Sequence, residues 1–218
     1  MEHVVRPVWI ALADTIAPAD IKERCRQSFE HIRQYFLKEV GKTLQVEELM
    51  IIQTHHTAED LQRHRSGDIP LPKDLDRICQ ERCGPRYYSK LSDLDILCFN
   101  LIILIREKLN ADNTQAWVIF TPVVAQESFG YTATGLQVES GGYAIISSHL
   151  LTHWGPDGRA EGRIAHELGH VFGLGHNQEA SHRFMNRQDY LLPLMDCTLN
   201  QKERWILSRS PFFTEEKL

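Results

Sequence analysis

The sequence predicts an α/β (α+β) protein: a sheet with helices packed on it, closing on one helix that carries histidines and a glutamate. Three observations lead there. Strand-like and helix-like segments alternate through the first half of the chain, beginning with Val4 to Ala13 and an amphipathic stretch from Ile21 to Val40. An apolar segment of helical length, Leu94 to Leu109, is followed by a strand pattern at Ala116 to Val124. The region from Gly158 to Gly173 then reads as a helix whose C-terminal end lies inside the unbroken run HELGHVFGLGH, residues 166 to 176.

Each element has a local reason. Pro18 suits an early helical position, with its missing N–H and fixed φ. Ile21, Cys25, Phe29, Ile32, Phe36 and Val40 follow at spacings of three and four, and Gly41 ends the helix. Leu49 to Thr54 is a second strand. Ala58 to Ser92 is polar and contains prolines, so it reads as a long connection with a short helix inside it. Leu94 to Leu109 is apolar nearly all round, which suits a buried helix. Gly130 to Gly142 is glycine-rich, and Tyr143 to Ser148 is a further strand. Gln201 to Ser208 has helical character.

The eleven-residue run has the pattern H-E-x-x-H-x-x-G-x-x-H. On a helix, positions i and i+4 share a face, so His166 and His170 can aim two imidazoles at one point. Catalytic zinc sites take three protein ligands and leave a fourth position open. Gly173 follows one turn after His170, where glycine tolerates the left-handed conformation that stops a helix and turns the chain. The turn brings His176 back as third ligand. Glu167 is placed to take a proton from water at the metal and to deliver it to a leaving amine. Zinc lowers the pKa of such a water to about 7 and polarises a carbonyl. Ile164, Leu168, Val171 and Phe172 give the same helix an apolar face, so it is also a core helix. A purely structural helix has no need of three histidines, and a structural zinc site would close its fourth position.

The motif resembles the zinc signature of the metzincin metallopeptidases. The resemblance implies a twisted, mostly parallel sheet above a cleft, the zinc helix at the cleft floor, and a small C-terminal subdomain below. It places the whole chain, 1–218, in one metallopeptidase domain, with 1–176 as upper and 177–218 as lower subdomain. It implies one Zn2+ per chain, held by His166, His170 and His176, with Glu167 as general base and acid. It also implies a methionine beneath the zinc. Met195 and Met185 both qualify; Met195 is favoured because Leu191 to Leu194 looks buried and a helical segment follows. Where some metzincins have a tyrosine two residues beyond that methionine, this chain has Cys197. Phe129-Gly130-Tyr131 and Gly142-Tyr143-Ala144-Ile145-Ile146-Ser147 resemble archaemetzincins, but that family's cysteine cluster for a second zinc is reduced here to Cys197.

The expected partner is a peptide or protein in extended conformation, pairing with an edge strand within Gly130 to Ser148. Net charge is −5 over 218 residues without a block of like charge, so nucleic acid is not an expected partner. The run Leu94 to Ile105 is broken by Asp95 and Asn100 and is too short to span a bilayer. The start MEHVVRPVWIALAD lacks a basic n-region and a long apolar core, so no signal peptide is expected. Five cysteines, Cys25, Cys79, Cys83, Cys98 and Cys197, form an odd, sparse set suited to reduced thiols. The expectation is a cytoplasmic monomer, with leaderless secretion left open.

Lesser signals carry less. Arg82-Cys83-Gly84-Pro85 resembles the cysteine switch of matrix metallopeptidase prodomains in three residues, but a propeptide ending there would discard the Ile21 to Val40 helix. His149, His153 and His182 stand where they could border a cleft, Tyr190 could substitute for the missing tyrosine, and His55-His56 reads as surface. Two readings remain beside a zinc endopeptidase: a peptide-binding or regulatory protein on the same scaffold, and a zinc hydrolase of a non-peptide amide.

Overall fold

The structure, a computed structural model, describes residues 3–63, 73, 76–77, 80, 93–111, 114–122, 133–138, 141–152, 158–176, 184–185 and 192–215. The first strand, β1, spans Val5–Ala11, and helix α1 spans Ile21–Val40. Gly41 ends α1 in the left-handed region at φ 73°, with its N–H donating to Leu37 O. Two short strands follow, β2 at Thr43–Leu44 and β3 at Met50–Gln53, then α2 at Ala58–Arg63. Helix α3 runs Asp93–Leu109 and feeds β4, Ala116–Thr121. Strands β5 and β6 are Ala133–Val138 and Gly141–Ser147. A short helix, α4, occupies His149–Thr152, and α5, the motif helix, occupies Arg159–Val171. A 3-10 turn at Leu194–Asp196, helix α6 at Gln201–Arg209 and strand β7 at Phe213–Thr214 complete the described chain.

The main sheet has five strands in the order β3-β1-β4-β6-β5. Four are parallel; β5 alone runs antiparallel, against β6, from Ala133 opposite Ile146 to Val138 opposite Gly141. The expected α/β arrangement with a mostly parallel sheet is therefore present. The central strands are buried on both faces, as parallel strands sandwiched by helices must be. Their side chains sort by period two. Val5, Trp9, Ala11, Val118, Phe120, Ala144 and Ile146 join α1 and α5 in one core cluster. Val8, Ile10, Trp117, Ile119, Tyr143 and Ile145 face the other way and join α3 in a second.

The glycine-rich stretch expected between strands contains β5 itself. Strand β5 is the edge strand expected within Gly130 to Ser148. The C-terminal segment returns to the body of the molecule: β7 pairs antiparallel with β2, Thr43 opposite Thr214. Helix α6 opens with a capping box. Asn200 Oδ1 accepts from Glu203 N at 2.8 Å, and Glu203 Oε2 accepts from Asn200 N at 2.7 Å. Among the described residues no helix is long and apolar enough to cross a membrane. Cys25, Cys98 and Cys197 are buried thiols, and burial pushes the Cys25 thiol up to about 12. Cys79 and Cys83 lie outside the described residues.

Candidate metal centre

Helix α5 begins at Gly158, which adopts φ 78°; its carbonyl accepts both Gly162 N at 3.1 Å and Leu194 N at 2.9 Å. The helix is buried along nearly its whole length, because α1, the sheet and the 192–197 segment surround it. It ends as the sequence requires. Gly173 takes φ 91°, Gly173 N donates to His170 O at 3.0 Å, and Leu174 N donates back to Gly169 O at 2.8 Å. The chain then turns toward the helix and carries His176 with it.

The turn brings His166, His170 and His176 together: one ring nitrogen from each lies within 4.8 Å of the others. His170 Nε2 and His176 Nε2 are 3.2 Å apart. That is close to the edge of a tetrahedron with zinc–nitrogen bonds of 2.0–2.1 Å, about 3.3 Å. Two of the rings are oriented from behind. His166 Nδ1 meets Phe184 O at 2.9 Å, and His170 Nδ1 meets Leu174 O at 2.8 Å. A carbonyl only accepts, so each Nδ1 carries the proton and each Nε2 keeps its lone pair. That arrangement of ligand and backing carbonyl is the one that metal-bound histidines use. Burial is the main cause holding the His166 imidazole down to about 3, with His170 and His176 adding to it, so the ring is neutral at neutral pH. The residues fit a zinc ion by donor type, tautomer and spacing. Among the described residues they are the group able to hold a metal.

Exposure is graded across the triad: His166 is buried, His170 half-buried and His176 exposed. Solvent therefore reaches the triad from the His176 side. Glu167 is buried on the same helix, adjacent to His166.

Met195, favoured from the sequence as the buried methionine, is not buried. It sits in the 3-10 turn with 49% of its surface exposed. The apolar run that suggested it is explained by its neighbours: Leu194 packs in the core and Leu192 against it, while the turn points Met195 outward. Among the described residues Met185 is the fully buried methionine, and it packs against the motif helix at Gly169. Cys197 is also buried, with its thiol donating toward Pro193 O at 3.7 Å. His149 opens α4, and the His55 and His56 rings lie tilted at 40° with centroids 4.1 Å apart; none of the three joins the triad. His153, His182, Tyr190 and the 82–85 segment lie outside the described residues.

Sequence reasoning missed the two backing carbonyls, of Phe184 and Leu174, since a carbonyl leaves no trace in residue identity. It also missed Gly162 and Gly169. A Cβ on Gly162 would lie 2.8 Å from Leu192 O, and one on Gly169 would lie 2.6 Å from Met185 Sδ. Both are points of close approach between the helix and the C-terminal segment. Their signal was present: two glycines seven apart fall on one helix face, an arrangement that propensity disfavours.

No family model matches this sequence, and no curated protein matches it. Solved structures do match. OgpA from Akkermansia muciniphila superposes with a TM-score of 0.62 at 14% identity, covering 97% of this chain and 62% of that one. Catalytically inactive OgpA in complex with an O-glycopeptide substrate, glycodrosocin, superposes at 0.60 and 13% identity, covering 97% and 61%. Archaemetzincin from Methanopyrus kandleri superposes less closely, at 0.48 and 15% identity with 95% of each chain covered. At these identities the OgpA likeness is one of fold, and this chain spans about three-fifths of the OgpA length.

Proposed function

We propose that this protein is a zinc-dependent endopeptidase of metzincin type. One observation carries the reading: three imidazole nitrogens converge within 4.8 Å at the end of a helix that also holds a buried glutamate. The motif they form and the OgpA-like fold support it. His166, His170 and His176 hold one Zn2+ per chain, Gly173 makes the turn that completes the set, and Met185 forms the floor. Bound there, zinc supplies Lewis acidity that polarises a scissile carbonyl and makes water acidic near neutral pH. Glu167 takes the proton from the attacking water and passes it to the leaving amine, so that an amine rather than an amide anion departs. The Phe184 and Leu174 carbonyls hold the imidazoles in one tautomer throughout.

The substrate is a peptide bound in extended form. Strand β5 is the sheet's edge beside β6 and is packed on α5, so its outer edge offers backbone pairing close to the triad. Such pairing gives affinity with little sequence preference. Because an OgpA structure holds an O-glycopeptide, glycosylated peptides belong in the substrate panel beside plain ones. The whole chain acts as a monomeric single domain, 1–218, with 1–176 above the cleft and 177–218 below; the β2–β7 pairing supports one unit.

The test is cleavage of a broad peptide and glycopeptide library by wild type and by Glu167→Ala, with metal content measured on both. Wild type should carry one zinc and cut, a chelator should stop it, and Glu167→Ala should keep the zinc while losing nearly all activity. Equal cleavage by Glu167→Ala would refute the mechanism. Zinc binding without cleavage of any library member would favour a peptide-binding role on the same scaffold.

A further inference from the structure

The motif fixes five positions of the run 166–176, and Gly169 is not among them. Its surroundings give it a task. A Cβ at Gly169 would lie 2.6 Å from Met185 Sδ, 3.4 Å from Met185 Cε and 3.0 Å from Phe184 Cε1. Both neighbours are buried. Met185 is fully buried. Phe184 is stacked on Tyr35 with centroids 5.5 Å apart and meets Phe36 edge-on at 5.8 Å. In a core packed at crystal-like density, a methyl-sized insertion displaces its neighbours.

The same two-residue segment reaches the metal centre. Phe184 O accepts from His166 Nδ1 at 2.9 Å, and Phe184 N donates to Thr198 O at 3.1 Å. The backbone at residue 184 thus spans from the 198 segment to the imidazole of His166. Its seat on the helix exists because residue 169 has no side chain. Gly162 offers the contrast: its missing Cβ admits Leu192 O, which accepts no hydrogen bond from the triad.

We propose that Gly169 is a positioning residue of the metal centre, acting through Met185 and Phe184. Its bare backbone lets the 184–185 segment dock so that the Phe184 carbonyl fixes the tautomer and aim of His166. This rests on the reading of the triad as a metal site. A side chain at 169 loosens the backing bond and weakens metal binding, without touching a ligand or the general base. Outer-shell partners of metal-bound histidines are worth about 10–100-fold in affinity.

The test is a mutant cycle of Gly169→Ala and Met185→Ala, read by zinc affinity in chelator competition and by the visible spectrum of the cobalt(II)-substituted protein. Gly169→Ala should lower zinc affinity by about 10–100-fold and alter the cobalt spectrum. In the Met185→Ala background the same change should cost less than about threefold, because removing the thioether makes room for the new methyl. Unchanged affinity and spectrum in Gly169→Ala would overturn the proposal. So would an equal loss in both backgrounds. If Gly169→Ala does not fold, the comparison of Met185→Ala with the double variant still decides: a drop of about tenfold or more between those two refutes it. Failure of wild type to bind zinc or cobalt is a different result, and it removes the metal reading itself.

Discussion

The two faces of the main sheet are built from the same strands and carry different burdens. On one side, α3 covers the sheet with Leu97, Leu101, Ile102 and Ile105, a layer over Val8, Ile10, Trp117, Ile119, Tyr143 and Ile145. On the other, α1 and α5 bring aromatic residues together with buried Ser28, Glu161, Arg163, His166 and Glu167. Burying such groups costs stability unless each finds a partner. Ser28 Oγ accordingly donates to Glu161 Oε1 at 3.1 Å, between α1 and α5. The α3 face thus supplies stability that the polar face uses to hold ionisable groups in place. A sheet alternating with period two lets one strand serve both layers at once, as β1 does with Trp9 toward the site and Ile10 away from it.

That division can be tested at either face. The largest effect belongs to Glu167→Ala: peptide hydrolysis should fall about 10²–10⁴-fold, the usual weight of general acid–base catalysis, with the thermal midpoint little changed. A parallel fall in thermal stability would show that the polar layer also carries the fold. Ile105→Ala on the opposite face should do the reverse. It should cost about 2–5 kcal/mol in urea denaturation, and the fraction still folded should bind zinc as wild type does. Weakened zinc affinity in that folded fraction would mean the two layers are coupled through the sheet. The smallest effect lies outside both layers. Asn200→Ala removes the capping box of α6 and should cost about 1 kcal/mol, read as a small shift in the urea midpoint, with zinc affinity unaltered.

What can be read from the chain alone varies with the range of the forces involved. The triad is legible because helix geometry sets His166 against His170 and a glycine turn returns His176, all within eleven residues. Helices α1 and α3 are legible from their apolar residues, and the strands β1, β3, β4 and β6 come within a few residues of their expected bounds. What escapes depends on contacts distant in sequence. The choice between Met185 and Met195 turns on which side chain faces the helix, and an apolar run of neighbours cannot say so. Strand β5 lies within the Gly130 to Ser148 stretch expected to hold the edge strand, but its bounds and its antiparallel pairing with β6 are not legible there. Strands β2 and β7, two residues each, are too short for any periodicity and exist only because they meet each other.

The graded exposure of the three histidines has a kinetic consequence. Two of the imidazoles ride on the helix with carbonyls behind them, and the third stands at the exposed end of the turn, beyond the buried Leu174. On the proposed reading, a metal held this way would leave stepwise, with His176 released before the helix pair. Metal exchange would then depend on how readily residues 175–176 swing away from the helix pair.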